Sequence, residues 1–125
     1  MWYQEPKWRS RLIAEAALMH ERFRGFRLVR TQDGSLRWIG VLNPTPDSEF
    51  VVSLTYPADY PYREPKLRVE RPALQGGAPH VYNDGSLCIH RRSWDPSRGT
   101  AVSEVPLIAA WLVAYQAWWR HGVPF

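Results

Sequence analysis

The feature that most constrains the fold is a pair of helix-like segments at the two ends of the chain, with strand-like segments between them. Near the N-terminus, apolar residues recur at steps of four and three, which predicts one stripe of an α-helix that ends near Gly25. This stripe consists of Trp8, Leu12, Ala16, Met19 and Phe23. Two neighbouring stripes predict a second helix near the C-terminus, and they consist of Leu107, Trp111, Ala114 and Trp118, and of Ile108, Leu112, Tyr115 and Trp119.

The middle of the chain carries four segments that are typical of β-strands. Residues 26–31 and 36–42 flank a short polar segment in which Asp33 and Gly34 supply the backbone freedom of a hairpin turn. A period of two from residue 50 to residue 56 predicts a third strand with one face against the helices, and residues 67–69 predict a short fourth strand. The order of helix, strands and helix predicts an α+β fold.

Capping residues set the expected bounds of the second helix. Ser103 is a plausible N-cap, two residues before the expected first turn at Val105 and Pro106. Gly122 is expected to end the helix, with Pro124 beyond it.

The composition is typical of one packed domain, which we expect to span residues 1–125. A hydrophobic content of 45% with 7 Trp and 6 Tyr indicates an aromatic core rather than disorder. The longest apolar tract, from Leu107 to Trp119, is too short to cross a bilayer, so we expect a cytoplasmic protein with no membrane partner. With 1 Cys in the chain, no internal disulfide is possible.

The formal net charge of +4 raises the question of a nucleic-acid partner, because clustered Lys and Arg are what phosphate binding requires. The basic residues of the first helical segment are interleaved with Glu5, Glu15 and Glu21, and no readout motif accompanies them. This distribution favours a solvated helix face, or a docking face for an acidic protein, over nucleic-acid binding.

The long segment between residues 72 and 100 is where we expect the chemistry. It has no clear periodicity but much Gly, Pro, Asn and Asp, and such structured loops usually carry function. Cys88 lies in it, shortly after Asp84 and Gly85. A lone Cys is often a small buried apolar residue, but its position in a polar loop favours a nucleophilic thiol.

Three stretches in this order resemble a known family, the ubiquitin-conjugating enzymes. Residues 56–65, YPADYPYREP, look like the Pro-rich turn that follows the family's third strand. Residues 81–89, VYNDGSLCI, look like its active-site loop, and Trp94, Asp95 and Pro96 look like the Trp-containing segment that follows. The resemblance covers about residues 8–120 and is closest to a shortened, bacterial-type member, found in conjugation systems of which some are antiviral.

The resemblance implies a UBC-like fold: an N-terminal helix, a four-stranded antiparallel meander sheet, a long active-site loop and a C-terminal helix packed on the sheet. It also implies that Cys88 accepts a ubiquitin-like protein as a thioester from an ATP-dependent activating enzyme and passes it to an amine, a lysine of a target protein. No metal or bound cofactor is expected. Exchange of one thiol for another has little net energy change, so the task is mainly to position two sulfurs and exclude water.

The resemblance further assigns roles to individual residues. The family's His-Pro-Asn aligns with Ala78, Pro79 and His80, so His80 is predicted to act in catalysis where the Asn stabilises the oxyanion. The predicted active-site loop contains Tyr82, Asn83, Asp84, Gly85, Ser86, Leu87, His90 and Trp94. Residues of the first helix are predicted to contact the activating enzyme, namely Lys7, Arg9 and Arg11.

Other interpretations of the same residues remain open. A noncatalytic UBC-like binding module is the main rival, although inactive relatives generally lack the thiol. His90 lies two residues from Cys88, which permits a Cys-His hydrolase, but no third group orients the ring. His80, Cys88 and His90 also offer zinc ligands, but a closed site takes four ligands and the chain has no second Cys. Trp94 is expected either to guide a partner's tail or to act as a hydrophobic lid on the loop.

Overall fold

The computed structural model describes residues 1–89 and 93–125, and its elements follow the predicted order. A short 3₁₀ turn at Trp2–Gln4 leads into helix α1, Pro6–Arg22. Four strands follow: β1 at Arg27–Arg30, β2 at Leu36–Leu42, β3 at Phe50–Thr55 and β4 at Lys66–Arg71. Helix α2 spans Ala101–His121. The strands form one antiparallel sheet in the order β1-β2-β3-β4, so the predicted UBC-like meander between two helices is confirmed.

The inner face of the sheet is set by the alternation seen in the sequence. The register pairs Trp38 with Leu54 and Leu42 with Phe50, and the β3 residues that point inward are almost fully buried. Tyr56, just after β3, continues that face and is 2% exposed. The fourth strand is longer than the predicted residues 67–69, because pairing with β3 extends it to Arg71.

Helix α2 buries parts of both predicted stripes, since Trp111 of the first stripe is 5% exposed. Ile108, Leu112 and Tyr115 are buried, and the Tyr115 ring meets Phe50 of β3 at 6.2 Å between centroids. Trp119 of the same predicted stripe is 51% exposed, and Leu107 of the neighbouring stripe is 39% exposed. The buried surface is therefore narrower than the apolar surface of the helix.

The predicted N-cap at Ser103 is wrong, because α2 begins earlier. Thr100 is the N-cap: its side chain accepts a hydrogen bond from Ser103 N at 3.0 Å, and Ser103 Oγ accepts one from Thr100 N at 3.0 Å. Ser103 thus takes the third helical position of a reciprocal capping box. The predicted end is confirmed, since Gly122 adopts the left-handed conformation, with φ of 69°, that favours glycine after a helix.

A buried ion pair on α1 joins the helix to the sheet and to α2. The Glu15 carboxylate, 2% exposed, accepts hydrogen bonds from Arg11 Nε at 2.9 Å and Tyr60 Oη at 2.6 Å. It also accepts from Tyr56 Oη at 3.0 Å and from Ala101 N, the first residue of α2, at 2.9 Å. Burial, and after it the charge of Glu15, raise the pKa of both tyrosines, so their hydroxyls remain donors.

Arg11 extends this network to the segment that follows the active-site loop. Its guanidinium donates to the carbonyl oxygen of Pro96 at 2.6 Å and to that of Gly99. The Glu15 carboxylate and the Arg11 guanidinium therefore join α1 to the end of β3, to the turn after β3, to the segment before α2 and to the start of α2. None of the helices in the described part of the chain is long and apolar enough to cross a membrane.

Candidate active site

The segment that carries Cys88 is a small hairpin. Val81 and Leu87 form an isolated antiparallel bridge, Tyr82 N donates to Ser86 O at 2.8 Å, and Cys88 N donates to His80 O at 2.9 Å. Gly85, with φ of 86°, closes the turn in a conformation that side chains rarely adopt. The Asp84-Gly85 sequence is therefore what allows the chain to reverse just before Cys88.

The hairpin is held against the free edge of β4. Leu87 N donates to Leu67 O at 2.8 Å, which adds a rung to the sheet. Lys66 Nζ donates to Asp84 Oδ2 at 2.7 Å, and Arg68 Nη1 donates to Asp84 O at 2.6 Å. Hydrogen bonds from Lys66 and then from Ser86 hold the pKa of Asp84 well below its usual range, so this carboxylate stays ionised at neutral pH.

Cys88 is half-buried, and Tyr82 is a described residue whose side chain interacts with it. This interaction is the main cause that raises the pKa of Tyr82. The Tyr82 side chain is otherwise open to solvent, at 54% exposed. Cys88 is thus neither fully buried in the core nor fully exposed to solvent.

His80 is next to Cys88 through its backbone, but its ring contacts the C-terminal segment. Its φ of 57° departs from the extended conformation of the hairpin. The ring packs on Phe125 with centroids 5.3 Å apart, and Nε2 lies 2.9 Å from the Phe125 carbonyl oxygen. Because a main-chain oxygen only accepts, Nε2 is the donor in this contact.

A groove of about 690 Å³ runs between the hairpin and the Pro-rich turn. Tyr62 and Pro65 of that turn line one side, and Tyr82 and Leu87 of the hairpin line the other. Trp94 completes the wall: its Nε1 donates to Pro61 O at 2.7 Å and its ring lies 6.2 Å from that of Tyr60. Leu87 precedes Cys88, so the groove reaches the segment that carries the thiol.

Trp94 packs so closely on Gly99 that a Cβ at that position would lie 2.3 Å from the indole ring. The indole thus packs on the segment that Arg11 anchors at Gly99, and the choice between a lid and a guide for a partner's tail stays a prediction.

The structure brings together most of the predicted loop residues. Residues 82–88 form the hairpin and its exit, whereas His90 lies outside the described residues. Lys7 and Arg9 are exposed on α1, but the Arg11 side chain is 20% exposed and its guanidinium is turned into the buried network. Among residues 1–89 and 93–125, no three His, Cys, Asp or Glu side chains are grouped closely enough to hold a metal ion.

Sequence reasoning missed three contributors to the site. Lys66 and Arg68 are two apart on a strand and therefore share a face, a spacing that could have suggested their joint contact with a polar loop. Phe125 lies 45 positions from His80, and nothing local in the sequence indicates their contact.

Comparison with known proteins agrees with this geometry. The model of the E2-CBASS family, described as type II CBASS E2 protein, matches residues 15–123. The structure is similar to that of human ubiquitin-conjugating enzyme E2 G1, with 25% identity and a TM-score of 0.56 over 86% of this chain and 93% of that chain.

Two further similar structures are of the Vps23 UEV domain. The yeast domain in complex with a Vps27 PSDP peptide has 16% identity and a TM-score of 0.58 over 81% of this chain and 78% of that chain. The Vps23 UEV in complex with ubiquitin has 16% identity and a TM-score of 0.55 over 78% of this chain and 77% of that chain. At this identity the likeness concerns the fold. Because the family model covers most of the sequence, the chain belongs to the type II CBASS E2 proteins, with the fold of ubiquitin-conjugating enzymes and an E2-like conjugating role in antiviral defence.

Proposed function

We propose that this protein is a ubiquitin-conjugating-type acyltransferase of the cytoplasm, in which Cys88 carries a ubiquitin-like protein as a thioester and transfers it to a lysine amine of a target. The observation that carries the proposal is the half-exposed Cys88 on a hairpin that is hydrogen-bonded to the edge of a rigid sheet. A thiol in this position is accessible to another protein's acyl group, and its backbone is fixed relative to the groove.

The chemistry requires two acyl transfers at the same sulfur. In the loading step, the Cys88 thiolate attacks the thioester carbonyl on the activating enzyme, and that enzyme's thiolate leaves. In the discharge step, a neutral amine attacks the new thioester and forms a tetrahedral oxyanion. Collapse of this intermediate forms the amide, breaks the carbon–sulfur bond and releases the Cys88 thiolate, while the amine proton passes to water.

The groove supports this proposal because an extended C-terminal tail needs a track that leads toward the hairpin. Its lining combines apolar side chains with charged ones, which include Arg63, Glu64 and Lys66. Lys7 and Arg9, both exposed on α1, are proposed contacts for an ATP-dependent activating enzyme. A similar fold in complex with ubiquitin, that of the Vps23 UEV, supports binding of a ubiquitin-like modifier.

The rival function is that of a noncatalytic module, since the same fold occurs in the UEV domain that binds a PSDP peptide. Cys88 at the exit of the hairpin favours the enzyme, because a module that only binds has no need for a partly exposed thiol there.

The test mixes the protein with its candidate activating enzyme, ATP and modifier, and follows an adduct on a nonreducing gel. We expect an adduct that thiol reductant cleaves, that is absent from Cys88→Ala, and that becomes resistant to reductant but labile to hydroxide in Cys88→Ser. An adduct that persists in Cys88→Ala would refute the site. Binding of the modifier without any adduct would support the module.

A second measurement addresses His80, which stands where the family has Asn. We expect His80→Ala to slow discharge to lysine more than loading, because an oxyanion donor acts only once the amine has attacked. In that step the Nε2–H has to turn from the Phe125 oxygen to the oxyanion. Equal slowing of both steps would remove His80 from the discharge step and leave it a role in holding Phe125.

A further inference from the structure

The hairpin register places Tyr82 beside Cys88 on one face. Val81 is paired with Leu87, so Tyr82 stands opposite Ser86 and its side chain projects on the same side as the residue two positions further along, Cys88. Such diagonal neighbours are within reach of an aromatic side chain. The register thus places the Tyr82 hydroxyl within reach of the Cys88 sulfur, and the rise that the Cys88 side chain causes in the pKa of Tyr82 agrees with it.

The surroundings of Tyr82 favour a hydroxyl that keeps its proton. After the contact with Cys88, the charges of Glu64 and Asp84 also raise the pKa of Tyr82, and Asp84 is in turn bound by Lys66 and Arg68. A protonated phenol beside a sulfur is a hydrogen-bond donor to it. His80 does not supply this donor from Nε2, since that nitrogen is bonded to the Phe125 carbonyl oxygen.

We infer that Tyr82 is a catalytic residue whose hydroxyl donates a hydrogen bond to the Cys88 sulfur whenever that sulfur carries negative charge. In the free protein it stabilises the thiolate nucleophile. The second part of the inference rests on the proposed function: when the tetrahedral intermediate collapses, the sulfur takes the electron pair of the broken carbon–sulfur bond and the same O–H stabilises it. The tyrosine keeps its proton throughout, and the amine proton still passes to water.

The test uses the fact that the chain has 1 Cys, so alkylation reports on Cys88 alone and needs no partner protein. Iodoacetamide labelling of the full chain is followed by mass spectrometry from pH 6 to pH 10 for wild type, Tyr82→Phe and Tyr62→Phe. Tyr62 is the matched control because it lines the same groove and is 65% exposed. Both substitutions remove only a hydroxyl from an exposed ring.

At pH 7.5 we expect Tyr82→Phe to be alkylated about twofold to fourfold more slowly than wild type, since a smaller thiolate fraction is partly offset by higher intrinsic nucleophilicity. At the alkaline end, where the thiol is ionised in both proteins, Tyr82→Phe should become slightly faster than wild type, because only its higher intrinsic nucleophilicity then remains. Tyr62→Phe should follow wild type throughout.

A Tyr82→Phe curve that matches wild type, or a rate that changes by the same factor at every pH, would overturn the inference. The second outcome would indicate that the ring controls only access to the sulfur. Failure to form a thioester with any activating enzyme would instead overturn the proposed function and leave the alkylation result unaffected.

Discussion

Replacement of Glu15 by Gln tests whether the buried network on α1 holds the fold together. The carboxylate is 2% exposed and accepts four hydrogen bonds, from Arg11, Tyr56, Tyr60 and Ala101 N. Glutamine keeps the shape of the side chain but has only one acceptor oxygen. Its amide N–H groups would face two of the groups that now donate to the carboxylate, so those donors would lose their acceptor. The Arg11 guanidinium would also lose its counter-charge.

The expected cost follows from the burial. Removing one partner of a buried, hydrogen-bonded ion pair costs about 3 to 5 kcal/mol, and we take the lower end because Gln retains one acceptor. An unfolding entropy of about 2 cal/mol/K per residue converts about 3 kcal/mol into a fall of about 12 °C in Tm for a chain of 125 residues.

The assay is urea unfolding at pH 7 followed by Trp fluorescence, with a thermal melt in parallel. Glu21→Gln is the matched control, since Glu21 is an exposed residue of the same helix and its loss should change the free energy of unfolding by less than about 0.5 kcal/mol. If Glu15→Gln unfolds within that margin of wild type, the network does not stabilise the fold and the reasoning is wrong.

Three further predictions concern the segments around Cys88. Gly99→Ala should lower the free energy of unfolding by about 1 to 3 kcal/mol, because the new Cβ would lie 2.3 Å from the Trp94 ring. Gly76→Ala is the control and should be near neutral, since a Cβ there would have nothing within 4 Å. Equal free energies of unfolding for the two variants in urea would contradict this prediction. Asp84→Asn loses the contact with Lys66, so we expect faster amide exchange in the hairpin by mass spectrometry with little change in global stability, and unchanged protection would be evidence against the anchor. The pKa of Asp84 is lower in the folded protein than its unfolded value of about 3.9, so its contribution is complete above that pH and is lost as the pH falls through the folded value. Hairpin protection in wild type should therefore fall in strong acid, and a fall of the same size in Asp84→Asn would show that another group is responsible.

The regular elements could be predicted because their patterns are local. Phe50, Val52 and Leu54 of β3 are buried as the period of two predicts, although Ser53 between them is buried as well. The predicted stripe of the first helix faces the core, with Met19 fully buried and its other members partly buried. The start of α2 was misplaced because two polar residues three apart, Thr100 and Ser103, cap each other, and the pattern of one N-cap residue does not distinguish the two.

The site was predictable only as far as it is local. Asp84, Gly85 and Cys88 are close in sequence, and the resemblance to the family supplied the role proposed for the thiol. Burial of Glu15 was not visible, because an Arg and a Glu four apart on a helix are typical of a solvated surface pair. Only the long-range contacts with the Pro-rich turn and with α2 remove that pair from water.

The rung that joins Leu87 to Leu67 has a consequence for solubility as well as for geometry. β4 is an outer strand, and without this rung its backbone would offer unsatisfied donors and acceptors to the same strand of another molecule. The segment that presents the reactive sulfur is thus also a cover against aggregation. Variants with a more mobile hairpin are therefore expected to self-associate through β4. This limits how far evolution or design can increase the mobility of the hairpin.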